Sequence, residues 1–223
     1  MKIDQIIRTK RRTIALVINQ DGRLIVRAPL RATRKQIEYL VEQKAGWIKS
    51  KQELVSANFA RFAPKEYIDG EEFWFLGKSY RLAIVNNSDQ PLRLAGKFYL
   101  SRAALAHAER VFIGWYTAQA KLVIAERVQA YAANQGYKVH QVKITHAQAR
   151  WGSCSPNGSL NFSWRLVMAP MRVIDYVVVH ELVHLNEKNH SGRFWDQVKA
   201  ILPDYAQQVR WLKSNGYLLR LAK

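Results

Sequence analysis

The sequence predicts an α+β fold, with a β-rich first half and a more helical second half. Three observations carry this. Asp21-Gly22 separates two short apolar runs, TIALVIN and RLIVRAP, and Asp-Gly between such runs is a strong hairpin signal. A second β segment, FWFLGKSYRLAIV, is followed by a turn over 86–90 and then by LRLAGKFYLS. Ser101 has the chemistry of an N-cap, and the residues from about 102 to 134 read as one long helix that Gly136 would stop. The expected division is residues 1–100, a region of hairpin, helix and hairpin with an antiparallel sheet, and residues 101–223, built on the long helix, a small sheet and a second, histidine-bearing helix.

Taken in order, Thr33 caps a helix from 34 to about 55, with Ile37, Leu40, Val41, Ala45, Ile48 and Leu54 at helical spacing. After the long helix, KVHQVKITHAQAR reads as a strand, SPNG at 155–158 as a turn and SLNFSWRLVMA as a further strand. Pro170 suits the first turn of the next helix. The run IDYVVV inside that helix is β-branched and has strand propensity. The helical reading wins there because Pro170 supplies a start and the histidines that follow make chemical sense only at helical spacing. Ser191 or Asn189 caps a helix carrying Phe194, Trp195, Val198 and Ile201, which stops at Pro203. A last helix covers about 205 to 215.

Composition narrows the class. The 223 residues suffice for a buried core, and 48% are hydrophobic, as in a globular chain. Cys154 is the single cysteine, which removes an intrachain disulfide framework and fits a reducing compartment. The N-terminus lacks the apolar stretch of a signal peptide, and no run approaches the roughly 20 apolar residues of a membrane span. A cytoplasmic protein with no membrane partner is expected. The formal charge is +18, concentrated early: Arg8, Lys10, Arg11, Arg12, Arg23, Arg27, Arg31, Arg34 and Lys35 all precede Glu38. Such an excess is either a solvated surface or a weak, salt-sensitive and non-specific attraction to nucleic acid.

The chemistry concentrates in VVVHELVHLNEKNH. Residues four apart on a helix share a face, so His180 and His184 project together and can converge on one ion. Glu181 is turned about 100° from His180, better placed to serve a water than to bind the ion. This is the H-E-x-x-H pattern. A catalytic zinc usually takes three protein ligands and keeps one position open. No glutamate follows Glu187, so the third ligand is sought in His190, with Asp196 and Asp204 as alternatives. Asn186 and Asn189 tolerate the left-handed conformation that would turn the chain between His184 and His190. His107, His140 and His146 stand alone and read as ordinary residues, and Cys154 has no dedicated base that would make it a nucleophile. A purely structural zinc would need a fourth ligand, for which Cys154 is the nearby candidate.

HELVHLNEKNHSGRFW, preceded by RWGSCSPNGSLNFSWRLVMAP, resembles the YgjP-like metallopeptidase family, relatives of the SprT-like and other zincin peptidases. The resemblance is strongest over 149–203. It implies a zincin-like metallopeptidase core in 101–223, one Zn²⁺ per chain on His180, His184 and His190, Glu181 as the catalytic acid and base, and a protein or peptide substrate. Its kinship to SprT-like proteins adds nucleic acid as a partner of the basic half. The spacing from His180 to His190 also equals that of the metzincins, but Glu187 stands where they have glycine and no methionine follows His190, so that assignment fails. Part of 150–165, including Arg150 and Trp151, is expected to line the substrate cleft as an edge strand. Arg150, Arg193 and Tyr205 are the candidates to steady a developing oxyanion.

Overall fold

The computed structural model describes residues 1–18, 22–57 and 65–221, and the chain divides into two units, Met1–Ala63 and Pro64–Lys223. In the first, β3 (Leu24–Pro29) is central, with β2 (Ala15–Ile18) antiparallel on one side and β1 (Gln5–Thr9) parallel on the other. The hairpin is as expected, although Asn19, Gln20 and Asp21 of its turn lie outside the described residues. Leu24, Val26 and Ala28 alternate inward and close a small core with Ile37, Val41 and Ile48.

Strand β1 was not legible, because QIIRT is mostly exposed and shows no apolar alternation. It is held by its ladder and by Arg8, which donates to the carbonyls of Pro29, Leu30 and Ala32. Thr33 forms a full capping box with Gln36. The single helix expected to about 55 is two, α1 (Arg34–Gln43) and α2 (Ala45–Ala57), and the break at Lys44 falls beside Gly46, the weakest helix former of the segment. The side chain of Leu54 lies outside the described residues.

In the second unit, FWFLGKSYRLAIV is itself a hairpin of β4 (Glu72–Phe75) and β5 (Lys78–Val85). Leu76 and Gly77 both have positive φ, 48° and 79°, as a tight hairpin turn demands. The leucine bears this conformation because its N–H donates to Val167 O at 2.8 Å and the Gly77 N–H to Met168 O at 3.1 Å. Gly77 also lies so close to Pro170 that a Cβ there would be 2.8 Å from the proline Cα. With β6 (Leu92–Ala95) and β7 (Lys97–Ser101) the sheet runs β4-β5-β7-β6. It is not the antiparallel sheet expected, since β5 and β7 are parallel. Hydrophobic alternation does not encode strand direction, so the sequence carried no signal for this.

Ser101 is the last residue of β7 and makes no capping bond. A 3-10 segment, Arg102–His107, intervenes before α3 (Ala108–Gln135). Gly136 ends α3 in the left-handed conformation as expected. The buried stripe Phe112, Tyr116, Ala120, Ile124 and Val128 has four-residue spacing. It packs on the first sheet of this unit: Phe112 stacks on Phe73 at 4.2 Å, and the Tyr116 hydroxyl donates to Trp74 O at 2.6 Å. That packing is why the chain divides at Ala63 and Pro64 instead of near residue 100.

A second sheet has β10 (Ser159–Ser163) central, parallel to β8 (Gln141–Thr145) and antiparallel to β9 (Gly152–Cys154), which is an edge. The strand expected through 169 ends at Ser163. Residues Trp164–Met168 are a 3-10 turn with every side chain buried, and an apolar run buried on all sides does not distinguish strand from turn.

Helix α4 (Met171–Val183) begins after Pro170, and its β-branched residues are helical because they are buried nearly all round, so packing overrides propensity. α5 (Gly192–Ile201) is capped by Ser191 rather than Asn189, and α6 (Tyr205–Asn215) follows. Arg127 of α3 donates to Asp175 of α4 at 2.6 Å, with the Asp175 side chain only 4% exposed. The carboxylate holds the Arg127 guanidinium above its ordinary pKa. Removing one partner of a buried pair strands the other, so Asp175→Ala is expected to cost about 2–3 kcal/mol and lower the melting temperature by roughly 5–10 °C. Thermal denaturation followed by circular dichroism checks this. No helix of the described residues is long and apolar enough to cross a membrane.

Candidate metal centre

His180 lies in the last turn of α4 and His184 is its C-cap, so the helix itself puts their rings side by side, 4.9 Å apart. His190 returns after a turn and its Nε2 comes to 3.0 Å from His180 Nε2. One ligand nitrogen from each of the three lies within 4.8 Å of the others. Two nitrogens bound to one tetrahedral ion at 2.0–2.1 Å are about 3.3 Å apart, so the cluster is already near the size a metal requires. His184 Nδ1 lies 2.9 Å from the Glu187 carbonyl oxygen. A carbonyl only accepts, so Nδ1 carries the proton and Nε2 is left for an ion. His180 Nδ1 has Tyr176 Oη at 3.4 Å.

The turn is made differently from the sequence expectation. Neither Asn186 nor Asn189 has positive φ. The helix instead unwinds through tight turns, and Lys188 Nζ donates to the carbonyls of His184 at 3.1 Å and Leu185 at 3.3 Å. An ammonium on the last carbonyls satisfies the helix end without a left-handed residue. His190 then directly precedes the Ser191 cap of α5, which makes the α5 start part of the site.

Beneath the cluster lies Phe194, with ring centroids 4.9, 4.6 and 4.7 Å from those of His180, His184 and His190. Trp195 stacks on His190, and Tyr205 on Trp195. The sequence placed Phe194 and Trp195 on a helix but gave no hint that they wall the histidines, since a core aromatic and a site aromatic look alike along a chain. This apolar wall, followed by the charges of His184 and His190, brings the His180 pKa down to about 3. Burial also lowers that of His184. Both are thus neutral donors near pH 7, the form a metal binds.

Glu181 is 5% exposed and its side chain packs against β9. A Cβ added to Gly152 would lie 2.6 Å from both Cγ and Oε1 of Glu181. Burial pushes the Glu181 carboxyl up to about 7, opposed by the charge of Arg150 and a hydrogen bond from the Cys154 backbone. Gly152 is the first residue of the edge strand β9. Its contact with Glu181 spans 29 positions and had no local signal.

The other candidates fall in different places. Arg150 is exposed two residues before β9, within reach of Glu181 by charge. Trp151 covers the guanidinium of Arg165 at 4.9 Å. Arg165, unremarked in the sequence, is 3% exposed and ties down the preceding loop through the carbonyls of Ala147 and Gln148. Burial and the charge of Arg220 bring its pKa to about 10. Tyr205 belongs to the aromatic stack, and Arg193 is exposed on the first turn of α5. Among the described residues, the alternatives Asp196 and Asp204 do not join the histidine group, and Asp204 pairs with Arg172 at 3.1 Å. Cys154 does not join it either, and burial raises its thiol pKa, the opposite of what a nucleophile needs. His107, His140 and His146 also lie outside the group, and His146 packs against Trp164.

The family profile described as YgjP-like, metallopeptidase domain, matches residues 12–215. The chain is therefore a metallopeptidase. It belongs to the YgjP-like family. Among solved structures, the crystal structure of the metallopeptidase zymogen abylysin from Pyrococcus abyssi is similar at 21% identity, covering 40% of this chain and 92% of that chain with a TM-score of 0.37. No curated protein matches the chain.

Proposed function

We propose that the protein is a zinc peptidase that hydrolyses peptide bonds with activated water, using Glu181 as general base. The observation that carries this is the gathering of three histidine nitrogens within 4.8 Å, beside one buried carboxylate. His180, His184 and His190 would hold a zinc ion, which would supply the Lewis acidity that polarises a carbonyl and acidifies water. Glu181 takes the proton of the attacking water on a carboxylate oxygen and delivers it to the leaving amine. The Cys154 N–H and the bare Cα of Gly152 hold that carboxylate in place. β9 is an edge strand, and an extended peptide can add to such an edge through backbone hydrogen bonds. Arg150, Arg193 and Tyr205 are the oxyanion-stabilising candidates, and Arg150 is the one whose charge reaches Glu181.

The long α3, the β8-β10-β9 sheet and α4 support reading this part of the chain as a zincin-like core. A non-catalytic, closed zinc site would need a fourth protein ligand, and the group among the described residues holds three. The free Cys154 suits a reducing compartment such as the cytoplasm. The early basic excess also suits non-specific association with nucleic acid, an addition to the peptidase reading and not a rival to it.

The test is metal content by mass spectrometry on tag-free protein. Wild type is expected to hold about one zinc per chain, and His184→Ala and His190→Ala to hold none. Zinc-free wild type, after loading and removal of excess, would sink the proposal. Loss in His184→Ala alone would remove His190 from the ligand set.

A further inference from the structure

The two faces of the β8-β10-β9 sheet differ in chemistry. Leu160 and Phe162 of β10 point into the core, and Gly152, paired with Phe162, shares that side with Glu181. The opposite face carries Asn161, paired with Ser153, and Ser163, paired with Thr145. A cavity of about 210 Å³ opens on this face, lined by these four together with Arg150 and Trp151 among others. The lining holds no carboxylate, and Arg150 is its one charged group. Arg150 has no ion pair within the described residues, and the buried Arg165 guanidinium lies against the Trp151 ring at 4.9 Å.

We propose that this cavity is a subsite for an acidic side chain of the peptide substrate. The inference rests on the peptidase reading above. Ser163 N–H bonds the Trp151 carbonyl at 2.8 Å, so Trp151 is turned toward β10 and its neighbour Gly152 has its backbone groups on the open edge. A peptide added there as a strand sends alternate side chains to opposite faces of the sheet, one set toward Glu181 and the next set over the cavity. A glutamate or aspartate reaching it meets the Arg150 guanidinium, which can pair with a carboxylate in bidentate fashion, and lays its methylenes on Trp151. The net charge of +18 attracts acidic peptides in general, and the cavity converts that attraction into a preference at one position.

The test uses zinc-loaded full-length Glu181→Gln protein, which binds without cleaving, and blocked peptides in which Glu, Gln or Lys is scanned through each position. Calorimetry at about 0.15 M ionic strength is expected to find one position where Glu binds about tenfold tighter than Lys. Arg150→Glu should reverse that preference, whereas Lys121→Glu, exposed on α3, should leave it. The subsite is overturned if no peptide binds, if no position discriminates, or if Lys121→Glu shifts the preference as much as Arg150→Glu. Wild type that cleaves every peptide alike would keep the peptidase reading and remove the subsite. Wild type that cleaves none while the binding preference persists would do the reverse.

Discussion

Glu181→Gln should retain its zinc and lose turnover by about 10²- to 10⁴-fold, the contribution of a positioned general base. The carboxamide is nearly the same size, so it can occupy the same 5%-exposed position and still accept the Cys154 N–H. What it lacks is an acceptor for the proton of the attacking water. The measurement is kcat and KM on a peptide substrate, with zinc quantified in the same sample. Because Glu181 is not one of the three grouped histidines, metal content should match wild type. A variant that cleaves at the wild-type rate would show that another group, or none, takes the proton.

Gly152→Ala should also be strongly damaging, although it adds only one methyl to a strand. That methyl would sit 2.6 Å from Glu181 Cγ and Oε1 and 2.9 Å from Cδ, distances no real contact sustains. Glu181 is anchored on α4 with almost no free space, so the carboxylate must swing or β9 must lift. A displacement of about 1 Å at a reacting group can cost roughly 10²-fold, so a fall in kcat of that order is expected. Overpacking of this kind also destabilises by about 1–3 kcal/mol. Zinc content should be unaffected, which separates a misplaced base from a lost metal. Full activity in Gly152→Ala would mean that this contact does not position Glu181.

Several local features were legible because their physics is local. The Asp-Gly hairpin signal, the Thr33 and Ser191 caps, the helix stop at Gly136 and the start at Pro170 each depend on a few consecutive residues. Features that depend on a partner far along the chain were not. β1 is a strand because β3 lies beside it, and β5 runs parallel to β7 without any mark in its alternation. Residues Trp164–Met168 turn because they are enclosed on every side. Helix α4 ends through Lys188, whose side chain reaches back to carbonyls that the asparagines were expected to accommodate by a backbone twist.

The same division runs through the site. The sequence by itself determined that His180 and His184 share a helix face and that Glu181 diverges from them, since 3.6 residues per turn leave no other arrangement. Only the tertiary structure decided that His190 closes the trio ahead of Asp196 and Asp204, that Phe194 and Trp195 wall it, and that Gly152 bears on Glu181. Those contacts join elements that become neighbours only when α5 and β9 pack around α4. Packing depends on shape and volume summed over the whole core, and spacing along the chain carries no record of it.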